Sequence, residues 1–279
     1  DVSGSTWTLG GVFEKSNGTL TISETTDLAL SGNSTLTSDE ALSFVNLNLN
    51  DFTLTLGSLT SDFTVENAIT IDASTEGISS GEADLTVEGD FTLANGKLES
   101  TGGIVYLEKG GKQSGGILDI SDSKLKLGES FTKTAGTLTT TDDGTILELM
   151  KNLTVSSDSS LNFDQVALNN NTLTLGSESS DLQVSSALIL DNSNERVMTG
   201  AADFVTLASL DISDGGVIST GGNINLSGGG QLSGTGELDV SGSTWTLGGV
   251  FEKRSAVGSQ LSGTLTISQT DLKLADNST

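Results

Sequence analysis

The side chains most often recruited for catalysis are missing from this chain, whose 279 residues include no histidine and no cysteine. That removes the commonest general bases, the thiolate nucleophile and the softer transition-metal ligands. What remains is 37 acidic and 12 basic residues. The chemistry open to them is that of paired carboxylates cleaving a glycosidic bond, or of a Lys or Arg base beside calcium-held acids. The densest groups are Asp142-Asp143 with Glu148, and Asp39-Glu40. Neighbours in a strand point to opposite faces, so Asp142 and Asp143 converge only in a turn. Aromatic surface for a sugar is sparse, with Tyr106 the single tyrosine. Solvated turn acids are the plainer account of both groups. No catalytic residue and no cofactor is therefore assigned, and the expectation is a protein that is not an enzyme.

Three acids recur in pairs, Asp62/Asp181, Asp72/Asp191 and Asp84/Asp203. Calcium is one use for them, Asx-type turns and an acidic shell the other. Members of a pair lie a whole repeat apart, beyond the roughly 10 Å screening length, so a cation would need acids from neighbouring coils. The metal assignment stays open. Trp7 and Trp245 could be stacking platforms, but a middle copy of their segment places Leu125 there. A position that takes Trp or Leu in phase with core leucines reads as core, as do Phe13, Phe131 and Phe251, and Phe44 with Phe163.

These residues must be held by some scaffold, and composition narrows it. There are 35 Gly, no Pro, and 34% apolar residues, with abundant Thr, Ser, Asn and Asp, which favours strands and tight turns over helices. The formal charge of −25 repels phosphate backbones and anionic headgroups, so nucleic acid is excluded as a partner. No apolar run approaches the roughly 18 residues that span a bilayer, and membrane insertion by this segment is excluded with it. Opening on Asp1 with no leader, the sequence reads as an excerpt or processed product of something longer.

The organising signal is repetition. Residues 1–15, DVSGSTWTLGGVFEK, return unchanged at 239–253. An offset of 119 aligns LNDFTLTLGSLTSDFTV (49–65) with LNNNTLTLGSESSDLQV (168–184), identical at 11 of 17 positions, and carries STGG from 100–103 to 219–222. A middle version of the opening segment, DISDSKLKLGESFTK, fills 119–133. Three tandem modules follow: 1–118, 119–238, and the start of a third at 239–279. The segment RSAVGSQL (254–261) replaces a two-residue turn of module one, which marks that turn as a surface loop.

Within a module, short apolar/polar alternations such as FTLTLG, AITID and DLTVEG recur every six to nine residues, separated by Gly, Asn or Asp. No helical periodicity runs three turns. Short spacers and few Asn-Gly or Asp-Gly hairpin signals argue against up-and-down hairpins. The fold class predicted is all-β, a single-stranded parallel β-helix (β-solenoid) of about 20 residues per coil, stacking inward Leu, Ile, Val and Phe. A module then holds five or six coils and adds about 25 to 29 Å of length at ~4.8 Å per coil. Strand edges at the two ends of such a stack need caps or further repeats.

The strings GTLTIS, DLTVEGDFTLANGKLESTGG and GGVISTGGNINLSGGGQLSGTGELDVSG resemble the parallel β-helix stalks of large bacterial surface proteins: autotransporter passengers, filamentous-haemagglutinin-type adhesins and giant repeat adhesins. The calcium-binding GGxGxDxUx repeat of toxin-like β-rolls is absent. The resemblance implies an extracellular, cell-surface structural repeat, acting as a rigid stalk or adhesive spacer, or as a self-assembling fibre, sheath or surface-layer element. Partners of that class would be further copies of the repeat, end to end, and host or environmental surface glycans. The alternative of another class is a carbohydrate-active β-helix enzyme, a polysaccharide lyase or hydrolase.

Overall fold

Alternation decides the structure locally. In Thr53–Leu56 the sequence TLTL turns both leucines inward and both threonines out, and the same rule holds in Phe63–Val65 and Leu85–Val87. A computed structural model describes residues 2–22, 25–254, 264–266 and 271–274. Among them there is no helix, and the strands pair in parallel, as in Leu85↔Val105 and Leu54↔Ile78, offsets of 20 and 24 residues. The fold is a parallel β-solenoid. The described chain divides into two compact units, Asp1–Thr140 and Thr141–Thr279.

In the first unit the coils between Asp27 and Leu127 each lay chain on three faces. One face carries Val12–Lys15, Ser34–Ser38, Thr53–Leu56, Gly77–Gly81, Lys97–Ser100 and the ends of Gly111–Asp119 and Phe131–Thr139. The second carries Leu42–Phe44, Phe63–Val65, Leu85–Val87, Ile104–Leu107 and Lys124–Leu127. The third holds two ladders, Thr6–Leu9 with Asp27–Leu30 and Asn46–Asn48, then Ile69–Ile71 with Phe91–Leu93 and the starts of the two long strands. The second unit repeats the scheme. Its faces are Leu153–Ser156 through Thr264–Thr266, Leu161–Phe163 through Asp271–Leu274, and Leu188–Leu190 through Phe251–Lys253, with Ile146–Leu149 pairing Gln165–Ala167.

The module is not a whole number of coils. Thr6–Leu9 lies on the third face, while its repeat equivalent Lys124–Leu127 lies on the second. Val12–Lys15 and Phe131–Lys133 are displaced likewise. The second copy of the opening segment therefore enters one face out of phase with the first.

The interior is a continuous apolar column in each unit. Phe44, Phe63, Phe91, Phe131, Phe163 and Phe204 are all at most 1% exposed, and the Phe44 and Phe63 rings stack obliquely with centroids 5.4 Å apart. Burying one such side chain contributes about 1.5–3 kcal/mol, and each coil supplies several. Corners use residues that tolerate positive φ: Asn50 and Asp51 at 52° and 67°, and Asn169 and Asn170 at 51° and 64°. The second glycine of each STGG has a different reason. A Cβ on Gly103 would sit 2.2 Å from the Ala83 carbonyl oxygen, and one on Gly222 1.9 Å from that of Ala202. There the coils approach too closely for any side chain.

Candidate functional site

Asp39 and Glu40 do not face each other as a catalytic pair. They flank Lys15, a buried lysine 7% exposed, whose Nζ pairs with Asp39 and lies 3.3 Å from the Glu40 carboxylate. The hydrogen bond from Lys15 holds the Asp39 carboxyl below its ordinary 3.8, and the same bond raises Lys15 above 10.5 against the cost of burial. Both groups are locked in their charged forms, the reverse of what a proton shuttle near neutrality needs.

Asp142 and Asp143 do lie in a turn, as convergence requires, and both are exposed. The turn is closed by Thr141, whose N–H donates to Thr145 Oγ1 at 2.9 Å and whose hydroxyl donates to the Asp143 carbonyl at 3.0 Å. Glu148 stands outward on Ile146–Leu149 and accepts from Asn169 Nδ2 at 3.2 Å. Among the described residues, no three Asp or Glu side chains come together as a group able to hold a metal ion.

The recurring acids act between coils. Asp62 Oδ1 accepts the Asp84 N–H at 3.1 Å, and Asp84 Oδ1 accepts the Ile104 N–H at 2.8 Å. In the second unit Asp181 Oδ1 accepts from Asp203 at 2.9 Å, and Asp203 Oδ1 from the Asn223 N–H at 2.7 Å. Each carboxylate thus binds a backbone donor at the start of a second-face strand on the neighbouring coil. Asp72 and Asp191 play another part, giving their N–H groups to Glu76 Oε2 and Glu195 Oε2 at 2.9 and 3.1 Å.

Glu76 and Glu195 are the structural acids that sequence reasoning missed. Glu76 also accepts the Ala73 N–H at 3.2 Å and reaches the Asp51 N–H one coil away at 3.4 Å; Glu195 does the same for Asn170 at 3.2 Å. Burial alone would raise the Glu76 carboxyl, but the backbone donors outweigh it and hold the group below 4.5. The available signal was their spacing, 119 residues apart like the other repeated acids. Serines form a second repeated device: the Ser38 N–H donates to Ser61 Oγ at 2.9 Å, and the Ser157 N–H to Ser180 Oγ at 2.7 Å.

Concave surface is modest. Where the third-face ladder passes from Asn46–Asn48 to Ile69–Ile71, an open cleft of about 400 Å³ is lined by Asn48, Asn50, Asp51, Thr70, Asp72 and Glu76. Its best-placed carboxylate, Glu76, is already committed to backbone N–H groups. A second cleft of about 460 Å³ runs past Lys151, Asn152, Asn170, Asn194 and Arg196. Tyr106 is no free platform, since Lys126 Nζ lies 4.9 Å from its ring centroid. Trp245, 4% exposed, is core, as is Leu125 at 2%. Trp7 is half-buried, edge-on to Phe13 with ring centroids 4.7 Å apart. Phe13 and Phe251 are half-buried too. The RSAVGSQL loop lies, apart from Arg254, outside the described residues.

No family model, no curated protein and no solved structure matches the chain. Between the first two modules the repeat keeps some side chains and lets others go. Inward positions are kept in kind: Val65/Val184, Ile69/Leu188, Ile78/Val197, Leu85/Phe204 and Phe91/Leu210 are all 1% exposed or less. Outward positions of the same strands are not: Thr64 becomes Gln183, Thr70 becomes Ile189, Ser79 becomes Met198 and Thr92 becomes Asp211.

Proposed function

We propose that this chain is a structural repeat segment of an extracellular bacterial surface protein, a stiff spacer whose length is set by the number of modules. The observation that carries the proposal is the asymmetry between the two sides of strands such as Phe63–Val65, Ile69–Ile71, Gly77–Gly81 and Phe91–Leu93. A repeated binding or catalytic site would preserve outward side chains at the 119-residue spacing, because chemistry happens there. Between the first two modules the apolar interior, the inter-coil carboxylate caps and the serine pairs recur and hold one coil to the next, while outward Thr64, Thr70, Ser79 and Thr92 are replaced. Absence of proline fits the same role, since interior coils use their N–H groups in ladders. The acidic shell keeps such a surface hydrated and repels like columns.

Electron microscopy of chains carrying one, two and three added modules tests the proposal. Length should increase linearly by about 25 to 29 Å per module, at ~4.8 Å per coil, with constant width. Particles that grow in all directions would overturn it.

A further inference from the structure

Asn-Gly or Asp-Gly pairs stand at 17–18, 95–96, 143–144 and 214–215. Two of them, Asn95-Gly96 and Asp214-Gly215, lie 119 residues apart and so occupy one place in the repeat. Each forms the corner between two strands, Phe91–Leu93 and Lys97–Ser100 in the first module, Leu210–Ile212 and Gly216–Ser219 in the second.

The two corners share one hydrogen-bonded frame. The Ala94 and Asn95 N–H groups both donate to Ile71 O, at 2.9 and 3.2 Å, and those of Ser213 and Asp214 donate to Leu190 O at the same distances. Lys97 N–H donates to Glu76 O at 3.1 Å, and Gly216 N–H to Glu195 O at 2.9 Å. The Gly96 and Gly215 carbonyls accept from the next coil, from Ile117 and Glu237, each at 2.9 Å. Gly96 and Gly215 have φ of 65° and 73°, and a Cβ on them would lie 2.3 Å from Glu76 O and 2.2 Å from Glu195 O, so the corner demands glycine. In both corners the glycine N–H donates to Oδ1 of the residue before it, at 3.0 Å. One frame holds an amide in the first module and an acid in the second.

The Gly96 N–H bond to Asn95 Oδ1 is also an approach to reaction. It holds the Gly96 nitrogen beside the Asn95 carboxamide, whose carbon is one bond beyond Oδ1, and a nucleophile held in place gains much of its reactivity from position. Glycine has no side chain to shield that nitrogen, and Asn95 is exposed to water.

We infer that Asn95 is a self-modification site, at which the folded chain converts the amide to the acid that its second module already carries. Hydroxide takes the Gly96 N–H proton, and the nitrogen forms a bond to Asn95 Cγ. The Cγ–Nδ2 bond breaks and ammonia leaves, closing a five-membered imide. Water then adds at Cγ, the Cγ–N bond breaks, the Gly96 N–H is restored and a carboxylate remains. The net change consumes one water and releases one ammonia, with no oxidant or reductant. Opening the ring at the main-chain carbonyl instead would give isoaspartate and thread an extra methylene into the backbone between Ala94 and Gly96. The bonds from Ala94, Lys97 and Ile117 pin both sides of that link, so the corner selects aspartate. Asp214 displays the product: its Oδ1 keeps the Gly215 N–H and accepts the Thr235 hydroxyl at 2.7 Å. An ionised carboxylate is a poor electrophile, so the reaction stops there. Each event adds one negative charge to a chain at −25, whether or not the column is a spacer.

Peptide mapping of the full-length chain, kept folded in mildly alkaline buffer and sampled over weeks, tests this, with electron-transfer fragmentation to separate aspartate from isoaspartate. The same chain unfolded in guanidinium chloride is the comparison. The expected result is loss of the Asn95 amide in the folded chain at a rate equal to or above that in the unfolded one, with aspartate as the main product. Asn95→Gln, whose longer side chain would have to close a larger ring, should lose the conversion, and Asn95→Asp should unfold at the parent's denaturant midpoint. An Asn95 amide that survives in the folded chain while it is lost in guanidinium chloride overturns the inference. So does isoaspartate as the main folded product, or a lowered midpoint in Asn95→Asp.

Discussion

Asp84 Oδ1 accepts the backbone N–H of Ile104 at 2.8 Å, from one coil to the next, and Asp203 does the same for Asn223 at 2.7 Å. A half-buried donor left without its acceptor costs about 1–3 kcal/mol. Asp84→Ala should therefore lower the unfolding free energy by that amount, and Asp84→Asn by less, since the amide oxygen still accepts. Asp142→Asn and Asp143→Asn, in an exposed turn, should stay within about 0.5 kcal/mol of the parent. Urea denaturation followed by circular dichroism compares all four.

Glu76 supplies a pH dependence with a definite sign. Its folded pKa lies below the ordinary 4.5 because three N–H groups donate to it. Such a group contributes stability that is complete above 4.5 and is lost as pH falls through the folded value. At pH 7 Glu76→Gln should cost about 1 kcal/mol, a modest figure because water reaches the carboxylate. The gap should close as the pH is lowered to ~3. A gap that persists at low pH would mean the charge contributes nothing.

Lys15 and Asp39 report one contact from both ends of the scale. Lys15 is raised above 10.5, so its contribution is present below 10.5 and lost as pH climbs through the folded value. Asp39 is lowered below 3.8, so its share is present above 3.8 and lost in acid. Lys15→Gln should let the Asp39 carboxyl titrate back toward 3.8, read by carbon NMR of the side-chain carboxylates. If Asp39 titrates unchanged, the ion pair is not the cause of its shift.

How much of this was legible beforehand depended on distance along the chain. Inward and outward sides of Thr53–Leu56 follow from local alternation, and the buried fates of Trp245, Phe44 and Phe163 follow from comparing repeat copies. The phase was not legible, because the module period and the coil period are incommensurate. Nothing in the sequence of Lys124–Leu127 says that it sits on a different face from Thr6–Leu9. The role of Glu76 was hidden for a related reason: its partner Asp51 is 25 residues away, on the neighbouring coil, and an acid that caps backbone looks, in sequence, like one that faces water.

The two sides of a strand make the last prediction, using substitutions the repeat itself supplies. Thr64→Gln, Thr70→Ile and Thr86→Val place second-module residues on outward positions of the first, and each should change stability by no more than about 0.5 kcal/mol. Ile78→Val makes the second-module change at an inward position and should cost about 0.5–1.5 kcal/mol, because the removed methylene leaves a void that parallel neighbours on both sides cannot collapse into. Phe63→Ala, which no module shows, should cost about 3–5 kcal/mol. Gly103→Ala belongs with the inward set although glycine has no side chain, since its Cβ would strike the Ala83 carbonyl at 2.2 Å and overpacking of that kind costs about 1–3 kcal/mol. Thermal and chemical denaturation of the series measures the ordering. Outward changes as costly as inward ones would mean that the exterior, too, is under structural constraint, and the argument from a preserved interior to a spacer would lose its footing.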